Sequence, residues 1–563
     1  MRRRARPPPR GRRGPGPGAG GRPGSGLRGW SVGLACGVAG LGLLTALRGL
    51  AAAAGRPARA PLPWLEGRRG PQGGGLGSRG AGPPAVRPEP DRRTYRSAAV
   101  DGLVADLAPR LRPELGVLFS NTWPNTIDTT AVHVSPGGAD AFVITGDIEA
   151  LWLRDSTNQV LPYAGLARDD EALRDLFFGL LRRQARSILV DAYANAFNFD
   201  ASTTSGQDHQ GDDRRPPMQP QVFEGKWEVD SLAAFLRLAR SCVEDLGAGP
   251  ESGLFDATFL AAVAKVLDTF EEQQAGTVEE LGGEAYLTGS YLFDLPYRFR
   301  YSWERTNKDT RLRKGRGAMA KRCGMIKSTF RPSDDATVLP FLVPSNAMAA
   351  VELEKVGGFL KGALGERVLG ERAEALGREV RAAIEREAKV EVDGETVYAY
   401  EVDGFGNALH MDDANSPSLL ALPFLGYVNA TDPVYLATRR RILSGRTNPY
   451  FFESADFRGV GSPHTGPFKI WPLALVMQAL TATDVAEIAD VLRQLEAAAA
   501  ETGLMHESFR ADDPSDFTRA WFAWSNGMFG ELVIKLEGDP QLSHLVLKRA
   551  EEEAQLLGRV PLP

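Results

Sequence analysis

The sequence predicts an all-α fold: a single large α-barrel of stacked helical hairpins, with a small β-hairpin and a disordered N-terminal tail. Three observations predict it. Apolar residues recur at helical spacing in many segments between Ala98 and Leu536. The stretch Val390–Tyr400 alternates apolar and polar residues around Asp393-Gly394, the pattern of a tight hairpin. Up to Ser97 the chain carries 19 Arg against three acidic residues, and residues 55–92 are rich in Gly, Pro and Arg. Such a segment cannot bury a core.

The tail comes first. Its net +16, against −5 for the whole chain, leaves −21 on residues 98–563. Basic character therefore belongs to the tail and not to the folded body. Trp30–Leu47 is an apolar run of 18 residues without Asp, Glu, Lys or Arg, just long enough to span a thin bilayer as a helix. Arginines crowd its N-terminal side, which favours a cytoplasmic N-terminus and a lumenal body. The expected organisation is a basic cytoplasmic tail (1–29), a signal-anchor or signal segment (30–54), a Gly/Pro/Arg-rich stem (55–94) and a folded domain (95–563). This places the protein in the secretory pathway, in the Golgi or ER membrane. A cleaved signal peptide ending near Ala51–Gly55, or an organelle transit peptide, are the competing arrangements. The apolar span argues against a nucleic-acid arm, the other reading of the Arg runs.

In the body, helices are expected at Ala98–Leu111, Glu171–Ala194, Val229–Leu246, Leu254–Gln273, Asn346–Ala363, Glu366–Lys389, Pro433–Leu443, Leu473–Leu480, Val485–Ala500 and Ala520–Leu536. Two cysteines remain outside the apolar run, Cys242 and Cys323, enough for one disulfide. No zinc spacing, phosphate loop or dinucleotide fingerprint is present, so neither cofactor nor metal is expected. Asn429-Ala-Thr431 is a sequon, usable if the body is lumenal.

Trp, His, Arg and Asp concentrate in the loops, where a rigid scaffold carries function. Asp334 and Asp335 follow Arg331-Pro332, with Pro340 and Pro344 beyond. Prolines at that spacing hold a loop, and Ser345 is the expected N-cap of the next helix. Adjacent carboxylates repel, so one needs a partner or a proton, the setting of a general acid. The alternative is a surface turn or cap pair. Arg154-Asp155 beside Trp152 reads as a sugar clamp or as a buried ion pair. Glu228 and Asp230 either share that pocket or, for Asp230 with Ser231, cap the next helix. Asp412-Asp413 with Asn415 can bind a polar ligand; calcium is conceivable, but no EF-hand spacing supports it. His464 sits in a stiff Pro/Gly loop. Glu507, between His506 and an aromatic, is a candidate general base. Trp521 and Trp524 form an aromatic wall or ordinary core. Six loops with carboxylates, aromatics and His favour carbohydrate chemistry, which needs two carboxylates and many hydroxyl contacts.

Together these loops resemble glycoside hydrolase family 125, the exo-acting α-1,6-mannosidases, from about residue 115 to 537. The matching pieces are Gly146-Asp147-Ile148 with Leu151–Ser156, Trp227–Leu232, Phe330–Ala336, Asp412–Asn415 with Pro417–Leu420, Ser462-Pro463-His464, Gly503–Phe509 and Trp521–Trp524. The resemblance implies an (α/α)6 barrel, a metal-independent site and hydrolysis with inversion. It implies an Asp general acid in Arg331–Ala336, with Asp334 and Asp335 both open, and Glu507 as the base. Arg154, Asp155, Asp413 and His464 become candidates for holding the terminal mannose, with Trp152, Asp230, Arg331, His506 and Trp524 as further binding candidates. The implied partner is a mannosyl oligosaccharide or glycoprotein glycan. Departures are the Arg-rich N-terminus, the polar insert Thr203–Pro217 and the basic segment Thr306–Ala320. Another (α/α)6 glycosidase such as an α-glucosidase, or a catalytically silent mannose-binding protein, are the alternatives.

Overall fold

The structure, a computed structural model, describes residues 83–202, 211–280, 297–301 and 315–548. The basic tail, the Trp30–Leu47 run, residues 55–82 of the stem and more than half of the two unusual segments lie outside these residues. Stem residues 83–94, expected to be disordered, instead lie against the body, where Arg87 pairs with Asp128 at 2.7 Å. Among the described residues no helix is long and apolar enough to cross a membrane.

Helices dominate, and they fall into two kinds. Leu153–Val160, Val229–Glu244, Val343–Gly362, Pro472–Leu480 and Ala523–Gly538 are buried on nearly every side along most of their length. A helix apolar all round belongs inside; Leu153–Val160 is the exception, six of its eight buried residues being polar and held by ion pairs and hydrogen bonds such as Arg154–Glu228. Glu171–Val190, Ala257–Glu272, Arg367–Glu387 and Val485–Ala499 bury one stripe and face water with the other. Each buried helix but the last is followed by one of these amphipathic helices. The buried helices pack on one another in series: Leu153–Val160 packs on Val229–Glu244, which packs on Val343–Gly362. Pro472–Leu480 packs on Ala523–Gly538, which returns to Leu153–Val160 and to Pro113–Thr122.

Local chemistry explains the helix ends. Ser97, Asp170, Asp256, Asp432 and Asp484 each accept a first-turn backbone N–H, as good N-caps do. Between Val343–Gly362 and Arg367–Glu387 the contact is close because glycines line it. A Cβ on Gly357 would stand 2.7 Å from the Gly370 carbonyl oxygen, so any larger residue must push these helices apart.

Several expectations need correction. The first helix stops at Leu107, where Pro109 turns the chain into a 3-10 segment, Ala108–Arg110. The helix expected to start after Ser345 begins at Val343, with Pro344 in its first turn, where a missing N–H costs nothing. Ser345 does not cap it; its hydroxyl donates to Asp230 Oδ1 at 3.0 Å. Helices Pro113–Thr122 and Leu153–Val160 were not expected. Cys242 and Cys323 are buried free thiols and form no disulfide. The hairpin stands as expected: Lys389–Val392 pairs antiparallel with Glu395–Tyr398, and Asp393 and Gly394 take φ of 54° and 82°.

Candidate active site

Two-residue strands organise one end of the buried helices. Leu151–Trp152, Phe341–Leu342 and Lys469–Ile470 each lead directly into a buried helix. Each pairs with strands from distant loops: Ala196–Phe197, Glu401–Val402 and Phe509–Arg510 respectively. The polar loops are thereby gathered at helix N-termini, where the helix dipole favours negative charge.

The loop Phe330–Ala336 is tightly closed. Phe330 bridges Ala336, and the Arg331 N–H donates to the Asp335 carbonyl at 2.8 Å. Asp334 takes φ +66°, a left-handed conformation that a non-glycine residue adopts only under constraint. The turn sends the two adjacent carboxylates apart. Asp334 keeps 26% of its side chain exposed, while Asp335 keeps 1% and meets His464 Nδ1 at 3.1 Å. Neither is a surface turn or cap residue. Below them Asn415 Nδ2 donates to the Pro332 carbonyl at 3.0 Å, and Ser333 Oγ donates to Asp413 Oδ2 at 2.6 Å.

Behind Asp334 lies a buried charge cluster. Arg154 Nη1 donates to Glu228 Oε2 at 2.7 Å and Asp230 Oδ2 at 3.2 Å; Nη2 lies 3.1 Å from Asp155 and 3.7 Å from Asp334. The buried Lys226 pairs with Glu224 at 3.0 Å. Asn195 Nδ2 donates to Glu224 at 2.8 Å and approaches Glu228 and Asp334 at 3.4 and 3.5 Å. Burial pushes the Asp155 carboxyl up to about 6, against the pull of Arg154. Burial also raises Asp334, but Lys226, Arg154 and His464 outweigh it and hold this carboxyl below its ordinary range.

Glu507 approaches from another loop. Its Oε2 accepts the Thr518 hydroxyl at 2.7 Å and its Oε1 accepts Arg519 Nε at 3.0 Å. His464 joins the two loops electrostatically. Its burial alone would lower its pKa. The Asp335 hydrogen bond and charge, with Asp334 and Glu507, raise it.

The structure thus brings Arg154, Asp155, Asp230 and Asp334 into one cluster, and Asp335, His464 and Glu507 beside it. Asp230 does not cap its helix. Other placements correct the expected sugar contacts. Arg331 is buried, donating Nε to Glu401 at 2.7 Å and lying over the Tyr400 ring. His506 is buried and stacked on Phe517 at 4.1 Å; burial lowers its pKa to about 4. Trp524 is buried in the core and lines a separate cavity of about 260 Å³ below, with Arg237 and Phe424. Trp152 packs edge-on against Phe223, 6% exposed. Asp413, 1% exposed, accepts Ser333, and Asp412 accepts the Leu419 and Leu420 N–H groups, so both brace loops. Asn195, Lys226, Thr518 and Arg519 had not been singled out. Lys226 between Glu224 and Glu228 was a readable signal; the Arg519–Glu507 pair depends on a turn between strands.

Asp412 carries a pH prediction. Burial pushes its pKa up to about 7, so the folded protein holds this proton more tightly than the unfolded chain. Its stabilising effect is complete below the unfolded value and lost as pH rises through 7. Asp155, at about 6, and the raised His464 act in the same direction. The thermal midpoint should therefore fall from pH 6 to pH 8. Asp412→Asn should flatten that fall, a change of about 1 kcal/mol. Identical slopes for both proteins in calorimetry would reject the assignment.

Comparison with known proteins agrees with this geometry. Residues 112–534 match glycoside hydrolase family 125, described as metal-independent α-mannosidases. The Meiotically up-regulated gene 157 protein of Schizosaccharomyces pombe is 40% identical over 476 residues, 83% of this chain and 91% of that protein. A Streptococcus pneumoniae structure superposes with a TM-score of 0.70 at 38% identity, covering 78% of this chain and 99% of that one. It belongs to a family of metal-independent α-mannosidases and was solved in a non-productive complex with α-1,6-mannobiose.

Proposed function

From its membership of glycoside hydrolase family 125, the metal-independent α-mannosidases, to which this chain belongs, we propose that it removes terminal α-1,6-linked mannose from glycans with inversion. We assign Asp334 as general acid and Glu507 as general base. The observation that carries this is the strained turn that leaves Asp334 partly exposed beside the Asp335–His464 pair, with Glu507 held by Thr518 and Arg519 in a separate loop. Asp335 is the weaker choice for the acid, because His464 and burial occupy it. In the reaction Asp334 protonates the leaving oxygen as the C1–O bond breaks. Glu507, oriented by Thr518 and Arg519, takes a proton from the water that attacks the opposite face. Asp155 and Arg154 are the proposed hydroxyl partners of the mannose.

The alternation of buried and amphipathic helices, and the packing of successive buried helices on one another, support an (α/α)6 barrel as the scaffold. The apolar Trp30–Leu47 run with its Arg-rich flank supports a membrane-anchored protein of the Golgi or ER with a lumenal body. The exposed sequon Asn429-Ala-Thr431 is compatible with that placement.

Proton NMR of the α-1,6-mannobiose reaction in the presence of chelator tests the function. β-Mannose should appear first and equilibrate slowly to α. Early α-mannose would mean retention and overturn both carboxylate roles. Intact disaccharide would leave another linkage, an α-glucosidase specificity or a silent binding protein.

A further inference from the structure

Glu228 is a buried carboxyl that the mechanism above leaves unused. It is fully buried and, like the general acid Asp334, lies against Arg154, whose guanidinium is 2.7 Å from Glu228 and 3.7 Å from Asp334. Two carboxylates drawn to one cation repel each other, and a proton on one of them relieves that repulsion. The Asn195 amide reaches both, at 3.4 Å and 3.5 Å.

The surroundings of Glu228 reinforce this. Arg154 and Asp155 face it from helix Leu153–Val160, Glu224 and Lys226 from the segment before its own helix, and Asp230 and Ser231 from that helix's first turn. Ser345 enters through Asp230. With Asp334, five carboxyl groups share two cations, Arg154 and Lys226, in a largely buried space. Such an excess of negative charge must be relieved by protons.

We propose that Glu228 stores a proton shared with Asp334, making it the positioning residue that recharges the general acid. The proposal rests on the assignment of Asp334 as the acid. Burial raises the Glu228 pKa well above its ordinary range, while Asp334 is held below its own. The stored proton therefore rests on Glu228 when the site is empty. It crosses to the adjoining Asp334 oxygen as the glycosidic oxygen arrives. Asp334 is held loosely, at 3.5 Å from Asn195 and 3.7 Å from Arg154, so its carboxyl can turn and present that proton. The Asp334 O–H bond breaks, and the leaving oxygen takes the proton while keeping the C1–O electron pair. The pair, now doubly ionised, recovers one proton from water at the exposed Asp334 oxygen. Glu507 releases to solvent the proton it took from the attacking water, so the cycle balances.

Glu228→Gln tests this. The amide can still donate to Asp334 and accept from Arg154, but it has no acidic proton to pass. At pH 7, kcat/KM for α-1,6-mannobiose should fall ~100-fold or more. The alkaline limb of its pH profile should move at least about one unit toward acid, one unit being a tenfold change in proton affinity. On 2,4-dinitrophenyl α-mannoside, whose leaving group needs no proton, the loss should shrink below about tenfold. Glu228→Asp, which keeps a proton on a shorter arm, should restore the limb with an intermediate rate, and it serves if the Gln variant does not fold. An unmoved limb with equal losses on both substrates, or no loss, would overturn the proposal and leave Glu228 a structural residue. Full disaccharide activity in Asp334→Asn would instead overturn the acid assignment beneath it.

Discussion

Glu507→Gln is expected to lower kcat by ~10²–10⁴-fold, the usual contribution of one general base, with little change in thermal midpoint. The side chain keeps its size. Its amide oxygen can accept from Arg519, and its NH2 can donate to the Thr518 hydroxyl, so both contacts to Glu507 survive. What disappears is the capacity to take a proton from water. Because water attack fails equally for any leaving group, the loss should be as large on an activated aryl mannoside as on α-1,6-mannobiose. That separates this variant from changes around Asp334. Wild-type turnover by Glu507→Gln would remove Glu507 from the mechanism. A parallel collapse of the thermal midpoint would show that its bonds to Thr518 and Arg519 chiefly hold the loop.

Arg154→Met should be the most destabilising single change at the site. Arg154 is 2% exposed and lies within 4 Å of Asp155, Glu228, Asp230 and Asp334. Methionine fills much of the volume but leaves those carboxyls facing one another. Breaking a buried ion pair by removing one partner costs about 3–5 kcal/mol, and here one cation serves four carboxyl groups. Urea unfolding should show the midpoint shifted by that amount. The deficit should be smaller at pH 5, where the carboxyls can take up protons in place of the lost cation. Arg154→Lys should recover most of the stability and little of the activity, since an ammonium cannot reproduce the planar fork. An unchanged urea midpoint for Arg154→Met would mean the cluster is already neutralised by protons.

The sequence shows what repeats and hides what is short. Long helices were readable because their apolar stripes persist for several turns, as in Arg367–Glu387. Leu153–Val160 was not, because it has eight residues, buried on all sides, and so no stripe. The two-residue strands ahead of the buried helices leave no alternation to detect, yet they decide which loops meet. The functional loops themselves were legible as a set, through the spacing of Arg154-Asp155, Asp334-Asp335, His464 and Glu507. Which member of each pair does what was not. Asp334 and Asp335 are adjacent and chemically identical; only a positive φ separates an exposed carboxyl from one locked to His464. His506 and Trp524 lie next to or near candidate site residues, but the loop at His506, stacked on Phe517, and the helix phase at Trp524 turn them into the core.

The return of helix Ala523–Gly538 to Leu153–Val160 and Pro113–Thr122 has a consequence for how the chain is made. Synthesis is vectorial, at about 5–20 residues per second. The surfaces of the two early helices that Ala523–Gly538 covers therefore wait tens of seconds for their partner. During that interval the nascent body exposes a surface suited to chaperones or to aggregation. A ribosome stalled before residue 523 would present all the loops of the candidate site without the helix that packs on Leu153–Val160 and Pro113–Thr122.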